Sequence, residues 1–404
     1  MKNDYTEGVY FENSERKSAG FGKVKLVNPP RRPTALGKVR KGKIARTALT
    51  GFCGTDLELL RMGRRNQLDE KFPAGTRRLI PGHEGVVYVP DENRYGIVLI
   101  RGSTGFDPTR YEPGEFMFEY GCHKADGLMA RHNYFHPDML LKIPSEILRP
   151  GRKIPLSLAK KLIFCDPYAC SLFTVERMED VAEGHNFRLY TERGKSADQA
   201  RSLARRHIFD RTCIFGLGTI GLLVSLVFKR RLAKGHRVVA VARSPRTSPK
   251  VKFLLKNTPV EYVQAGATPQ ETAKRIVRAL GGPSTVFVAT SGNAIESQIA
   301  FDLGVLGHNA IYNSFSLGPK VQFDTMPFGF KNQLVYGAIN FRRQHMEQAI
   351  RELPTTPVDE LVRMYPFEEL SRDPGALIER VFLKDKDVMK GAVVWDESLL
   401  DMGA

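Results

Sequence analysis

Apolar residues in the first part of the chain come in short runs, KIARTALTGF, GVVYVP, GIVLIR and MLLKIP, separated by turns rich in Gly, Pro and charge. That spacing predicts short strands and a mainly β domain, with little helix before about residue 155. The first twenty residues, MKNDYTEGVYFENSERKSAG, have no apolar core and read as a partly disordered extension. PLSLAKKLIFCDPYACSLFTVERMED then reads as helical at both ends around a Pro, and the polar, basic stretch 183–208 marks a boundary.

Beyond it, RTCIFGLGTIGLLVSLVFKRRLAKGHRVVAVARS reads as a buried strand, a glycine-rich turn, an apolar helix and a second strand. VEYVQAG, ETAKRIVRALGG, STVFVAT, NAIESQIAFDLG and HNAIYNSF continue the alternation, which predicts a doubly wound parallel sheet. From about residue 330 an amphipathic helix, RRQHMEQAIREL, leads into short apolar segments ending at GAVVWD.

The length of 404 residues fits two domains better than one core. No apolar run is long enough to span a membrane, and the N-terminus has no secretion-signal core, so the expected location is the cytoplasm. Five scattered cysteines with no CxxC pair do not look like a disulfide framework, and their spacing excludes a four-thiolate zinc, leaving room for one metal site with one Cys. The net charge of +17 draws polyanions. Basic runs lie at 32–46, 201–211 and 228–237, without any helix-turn-helix, zinc-finger or RNP signature, which favours solvated basic faces on an enzyme over nucleic-acid binding.

GLGTIG places Gly216, Gly218 and Gly221 directly between strand and helix, with Thr219 and Ile220 at the helix start. In that context Gly216 permits the tight turn, Gly218 lets backbone approach a pyrophosphate, and Gly221 lets helix and strand pack closely. An acid at the end of the second strand would bind the NAD ribose; here Arg243, Ser244 and Arg246 stand there, suited to the 2′-phosphate of NADP, with NAD as the alternative.

Two segments of the β domain carry metal chemistry, GFCGTD with Cys53, Thr55 and Asp56, and PGHEGVV with His83 and Glu84. Thiolate, imidazole and carboxylate together suit a catalytic zinc with one open position. The order of GxCGTD, GHE and a later GxGxxG resembles the zinc-containing medium-chain alcohol dehydrogenase family over most of the chain. Within it, 119–144, 242–256 and 331–350 are similar to segments of glucose (aldose) 1-dehydrogenases.

That resemblance implies a GroES-like mainly-β catalytic domain in two pieces, 1–182 and 330–404, around a Rossmann NADP-binding domain at 183–329, with the active site in the cleft between them. It implies one zinc per chain, because the structural-zinc cysteines of many relatives are missing from STGFDPTRYEPGEFMF. The metal residues it points to are Cys53, His83 and Glu84, with Asp166 where the family carries a Glu. Asp166 is one methylene shorter, so direct ligation and a bridging water both stand. Sugar contacts map to Glu119 and Asn340, and Phe330 replaces a His found in some members, which leaves the sugar open. Cys122 and His123 adjoin Glu119; packing and hydrogen bonding account for them, with metal contact as the alternative.

The implied reaction is hydride transfer from an aldose C1 hydroxyl to NADP, giving a lactone, with Thr55 passing the proton on and Asp56 beside it. The alternatives are another zinc-dependent dehydrogenase (polyol, cyclitol or amino alcohol), a nucleic-acid-binding protein on a Rossmann scaffold, and a zinc-free scaffold, the last opposed by the intact Cys53, His83 and Glu84. The partner is a small sugar or polyol, and the family implies a homo-oligomer, a dimer or tetramer.

Overall fold

Antiparallel pairing of the short apolar runs builds the first of two units. The computed structural model describes residues 5–14, 17–29, 42–100, 118–232, 235–315, 324–338, 341–385 and 388–403. By its contacts the chain divides into Met1–Asp166 with Arg342–Ala404, and Pro167–Phe341. The sequence placed these changes at 182/183 and 329/330. The long helix Cys165–Thr191 runs through the first of those positions without a break, so no linker separates the units there.

In the first unit the strand Lys43–Gly51 sits at the centre of the main sheet. It pairs antiparallel with Glu84–Val89, His132–Phe135 and Lys390–Val394, and the last of these brings the C-terminal piece back into the sheet. Arg94–Val98 and Leu140–Lys142 extend one side and Val362–Met364 the other. Trp395 and Phe367 meet edge to face in the core, and the Trp395 indole N–H donates to Thr50 Oγ1 at 2.8 Å.

One expectation is overturned in this unit. Residues 5–11 are not an extension: Tyr5–Phe11 pairs antiparallel with Ala19–Lys25, because Val9 and Phe11 alternate inward and are fully buried. The little helix expected before residue 155 is Gly54–Arg64, with Asp56 in its first turn and Arg61 and Arg64 in its last, as the helix dipole favours.

The second unit is a six-stranded sheet, all parallel, in the order Glu261–Gln264, Arg237–Ala242, Arg211–Phe215, Ser284–Ala289, Leu306–Ser314, Leu334–Gly337. This is the doubly wound arrangement expected, whose order reverses at Arg211–Phe215, where such sheets bind nucleotides. Its strands are apolar on both faces, Cys213, Ile214 and Val239 through Val241 being fully buried beneath helices such as Thr219–Arg231 and Pro269–Leu280. The basic stretch 183–208 is no linker but helical, completing Cys165–Thr191 and forming Ala197–His207. Ser196 and Gln199 cap that helix reciprocally, and Arg201 and Arg205 pair back to Glu183. Among the described residues no helix is long and apolar enough to cross a membrane.

Candidate active site

The metal-type residues come from two adjoining segments of the first unit. Cys53 ends the central strand's connection and starts the helix Gly54–Arg64, while His83 and Glu84 open the neighbouring strand Glu84–Val89. Asp56 ties the two together. Fully buried, it accepts the Cys53 N–H on Oδ2 at 2.8 Å and the Gly82 N–H on Oδ1 at 3.2 Å. Each carboxylate oxygen thus accepts a backbone amide, one from each of the two segments. The segment before His83 is pinned from the other side, with Gly127 N–H donating to Ile80 O and Leu128 N–H to Gly82 O, both at 2.8 Å.

Ligand atoms of Cys53, His83 and Glu84 all lie within 4.8 Å of one another, the one such cluster among the described residues. Asp166 does not join it; its charge acts instead on Lys390 and Cys165. Thr55 Oγ1 is 3.7 Å from Cys53 Sγ and half-buried. Two further residues adjoin the cluster: Cys122, which the sequence left between packing and metal contact, and Lys390, which it missed. Cys122 Sγ lies 3.2 Å from His83 Nδ1, outside the three-residue cluster. Lys390, from the C-terminal piece, is ion-paired with Glu84 and reaches the Phe52 carbonyl at 3.3 Å, with both charged side chains almost wholly buried. The only signal in the sequence for Lys390 was a lone cation in an apolar run, MKGAVVWD.

Burial disfavours the charged form of His83, yet the sulfurs of Cys122 and Cys53 outweigh it and hold the imidazole well above its usual range. For Lys390 burial again acts to lower the pKa, but Glu84 and Cys53 win and the net shift is upward. Burial raises Asp56 and Cys122. Glu119 opens a short strand whose turn carries Cys122 and His123, both of whose N–H groups donate to the Glu119 carbonyl. Asn340 lies outside the described residues, as does nearly all of STGFDPTRYEPGEFMF. Phe330 is 80% exposed.

In the second unit the glycine turn forms one wall of a cavity of about 490 Å³. Gly216 has φ +106°, and a Cβ on Gly221 would lie 1.9 Å from the Gly216 carbonyl oxygen, so only glycine lets helix and strand approach this closely. Gly218, by contrast, faces open space. Thr219 and Ile220 begin the helix and do not line the cavity.

Arg243 and Ser244 line its far side, held there by the Tyr262 hydroxyl, which donates to the carbonyls of Ala242, at 2.9 Å, and Ser244. Arg246 does not line it. Its guanidinium donates to the Tyr262 carbonyl at 3.1 Å, and Lys250, unnoticed in the sequence, is the second cation of the wall. Opposite, Glu296 accepts the Ser291 N–H at 2.6 Å and fixes the Ser291–Asn293 backbone that completes the cavity; burial raises its carboxyl.

No protein-family model matches the chain. It is 23% identical over 402 residues to glucose 1-dehydrogenase 1 of Haloterrigena turkmenica, covering 93% of this chain and 96% of that protein. The structure of Haloferax mediterranei glucose dehydrogenase in complex with NADP, Zn and gluconolactone superposes with a TM-score of 0.66 at 18% identity, over 96% of this chain and 99% of that one. That of 2R,3R-butanediol dehydrogenase from Bacillus subtilis gives 0.66 at 17%, with the same coverage. The chain thus has the fold of the zinc-containing medium-chain dehydrogenases and is similar, along nearly its whole length, to glucose 1-dehydrogenases.

Proposed function

We propose that this chain is a zinc-dependent dehydrogenase that passes hydride from a sugar hydroxyl, C1 of an aldose, to NADP and yields a lactone. The convergence of Cys53, His83 and Glu84 carries the reading. A thiolate, an imidazole and a carboxylate are a donor set that suits zinc, and Glu84, though held by Lys390 through Oε2, has a second oxygen to offer. When bound, the metal supplies Lewis acidity that lowers the pKa of the alcohol to be oxidised.

The remaining work falls to this chain's own groups. Asp56 orients both metal-bearing segments through backbone amides. The Thr55 hydroxyl, both donor and acceptor, takes the alcohol proton and hands it on without ionising. Glu119 and Asn340 hydrogen-bond the sugar. In the second unit the amides at the start of Thr219–Arg231 meet the pyrophosphate, and the open space over Gly218 leaves room for it. Arg243, Ser244 and Lys250 receive the 2′-phosphate. We assign the residues before 167 and after 341 to catalysis and those between to the nucleotide. None of the five cysteines is in a disulfide, which supports a cytoplasmic setting. Phe330, where some relatives carry a His, keeps another polyol as the second reading.

The test is reduction of NADP and NAD, followed by absorbance, over aldoses, polyols and simple alcohols with and without chelator. Chelator-sensitive reduction of NADP by an aldose is expected. Turnover that survives both chelation and Cys53→Ser would overturn the zinc assignment, and activity confined to non-sugar alcohols would overturn the substrate.

A further inference from the structure

Two of the basic runs, 201–211 and 228–237, take no part in the function proposed above, and the fold brings them together. Arg211 and Arg237 are register partners at the first positions of adjacent parallel strands. Neighbouring strands lie about 4.8 Å apart with register partners on one face, an arrangement in which like charges repel. With Arg206, from the end of the helix Ala197–His207, they wall a cavity of about 440 Å³.

Among the described residues no carboxylate pairs with Arg206, Arg211 or Arg237. Arg211 Nε is buried with no hydrogen-bond partner there, a costly state for a cationic donor. The one acid in the wall, Asp210, is engaged instead by His207 Nδ1 at 2.9 Å and faces His236 Nε2 at 3.6 Å. Gly281 lines the cavity and Gly282 follows it, with φ of +69° and +149°. A Cβ on these residues would lie 2.5 Å from Arg237 Nη1 and 2.9 Å from Arg211 Nη1, so both guanidinium groups lie over bare backbone. Gly281 is also the C-cap of the helix Pro269–Leu280, whose negative dipole end, about half a charge, offsets only part of the two positive charges over it.

We propose that this cavity binds a small phosphorylated anion, through a phosphate monoester or pyrophosphate group. Guanidinium forks match phosphate oxygens in charge and geometry, and an anion between Arg211 and Arg237 relieves their repulsion. The site stands at the N-terminal ends of the strands whose C-terminal ends carry the nucleotide cavity, about 16 Å away for five-residue strands. It is independent of the dehydrogenase reading.

Calorimetric titration of the full chain with inorganic pyrophosphate, in saturating NADP so that the nucleotide cavity is occupied, tests it. One site per chain is expected, weakened about tenfold or more by Arg211→Gln with Arg237→Gln. Arg152→Gln with Lys153→Gln, which removes the same charge from an exposed stretch elsewhere, should change affinity less than about twofold. Glucose 6-phosphate and adenosine 5′-monophosphate, titrated separately, tell a sugar phosphate from a nucleotide as the source. Should the double variant lose its circular-dichroism melt, Arg237→Gln alone, on an exposed side chain, still has to weaken binding. Wild-type affinity in the arginine variants, an equal loss in the control, or binding of a DNA duplex without binding of pyrophosphate would each overturn the proposal.

Discussion

Lys390→Met probes how the metal cluster is held. The Lys390 and Glu84 side chains are 3% and 1% exposed. Methionine keeps much of the stem and removes the charge, leaving the Glu84 carboxylate buried without its cation. Breaking a buried pair from one side costs about 3–5 kcal/mol, because the remaining ion has lost both water and partner. A unit of this size loses about 2–4 °C of Tm per kcal/mol, so the variant should melt about 6–20 °C lower. Glu84→Gln together with Lys390→Met removes both charges of the pair and should recover most of that loss. The assay is calorimetric or circular-dichroism melting of chelator-treated protein, followed by zinc addition, which should raise the single variant's Tm by supplying a cation at Glu84 again. A single variant within about 2 °C of wild type, or a double variant no more stable than the single one, would refute the reasoning.

Other perturbations address separate links. Burial pushes the Asp126 carboxyl up to about 7, against one backbone bond from Ile80 N–H at 2.8 Å. Because this lies above the unfolded value of about 3.9, the folded state keeps a proton that the unfolded chain releases between about pH 4 and 7, and stability falls as pH rises through that window. Asp126→Asn should therefore gain on the order of 4 kcal/mol near pH 8 and almost nothing near pH 4, and denaturant melts giving equal pH slopes for both proteins would contradict this. Gly221→Ala sets a methyl against the Gly216 carbonyl, so fluorescence titration should show NADP binding weakened about tenfold or more; wild-type affinity would remove the turn from the nucleotide site. Arg243→Gln should raise the KM for NADP about tenfold with little change for NAD, while Arg246→Gln, already spent on the Tyr262 carbonyl, should alter neither. Equal effects of the two substitutions in steady-state kinetics would undo that distinction.

What the sequence determined by itself was whatever depends on near neighbours. The strand–glycine turn–helix unit at 211–231 was legible because apolar runs and glycine spacing act over a few residues. Cys53, His83 and Glu84 were legible because their short motifs carry the donor atoms. The N-terminal strand was missed, since an amphipathic strand with few apolar residues looks like a polar tail until a partner strand and a core are present. The tertiary structure alone decided that Lys390 would face Glu84 across 306 residues, that Lys250 rather than Arg246 would share the cavity wall with Arg243, and that Arg211 and Arg237 would stand side by side. The reason is physical: the meaning of a charge depends on burial and on the charges packed against it, and both are set by contacts between segments distant in the chain.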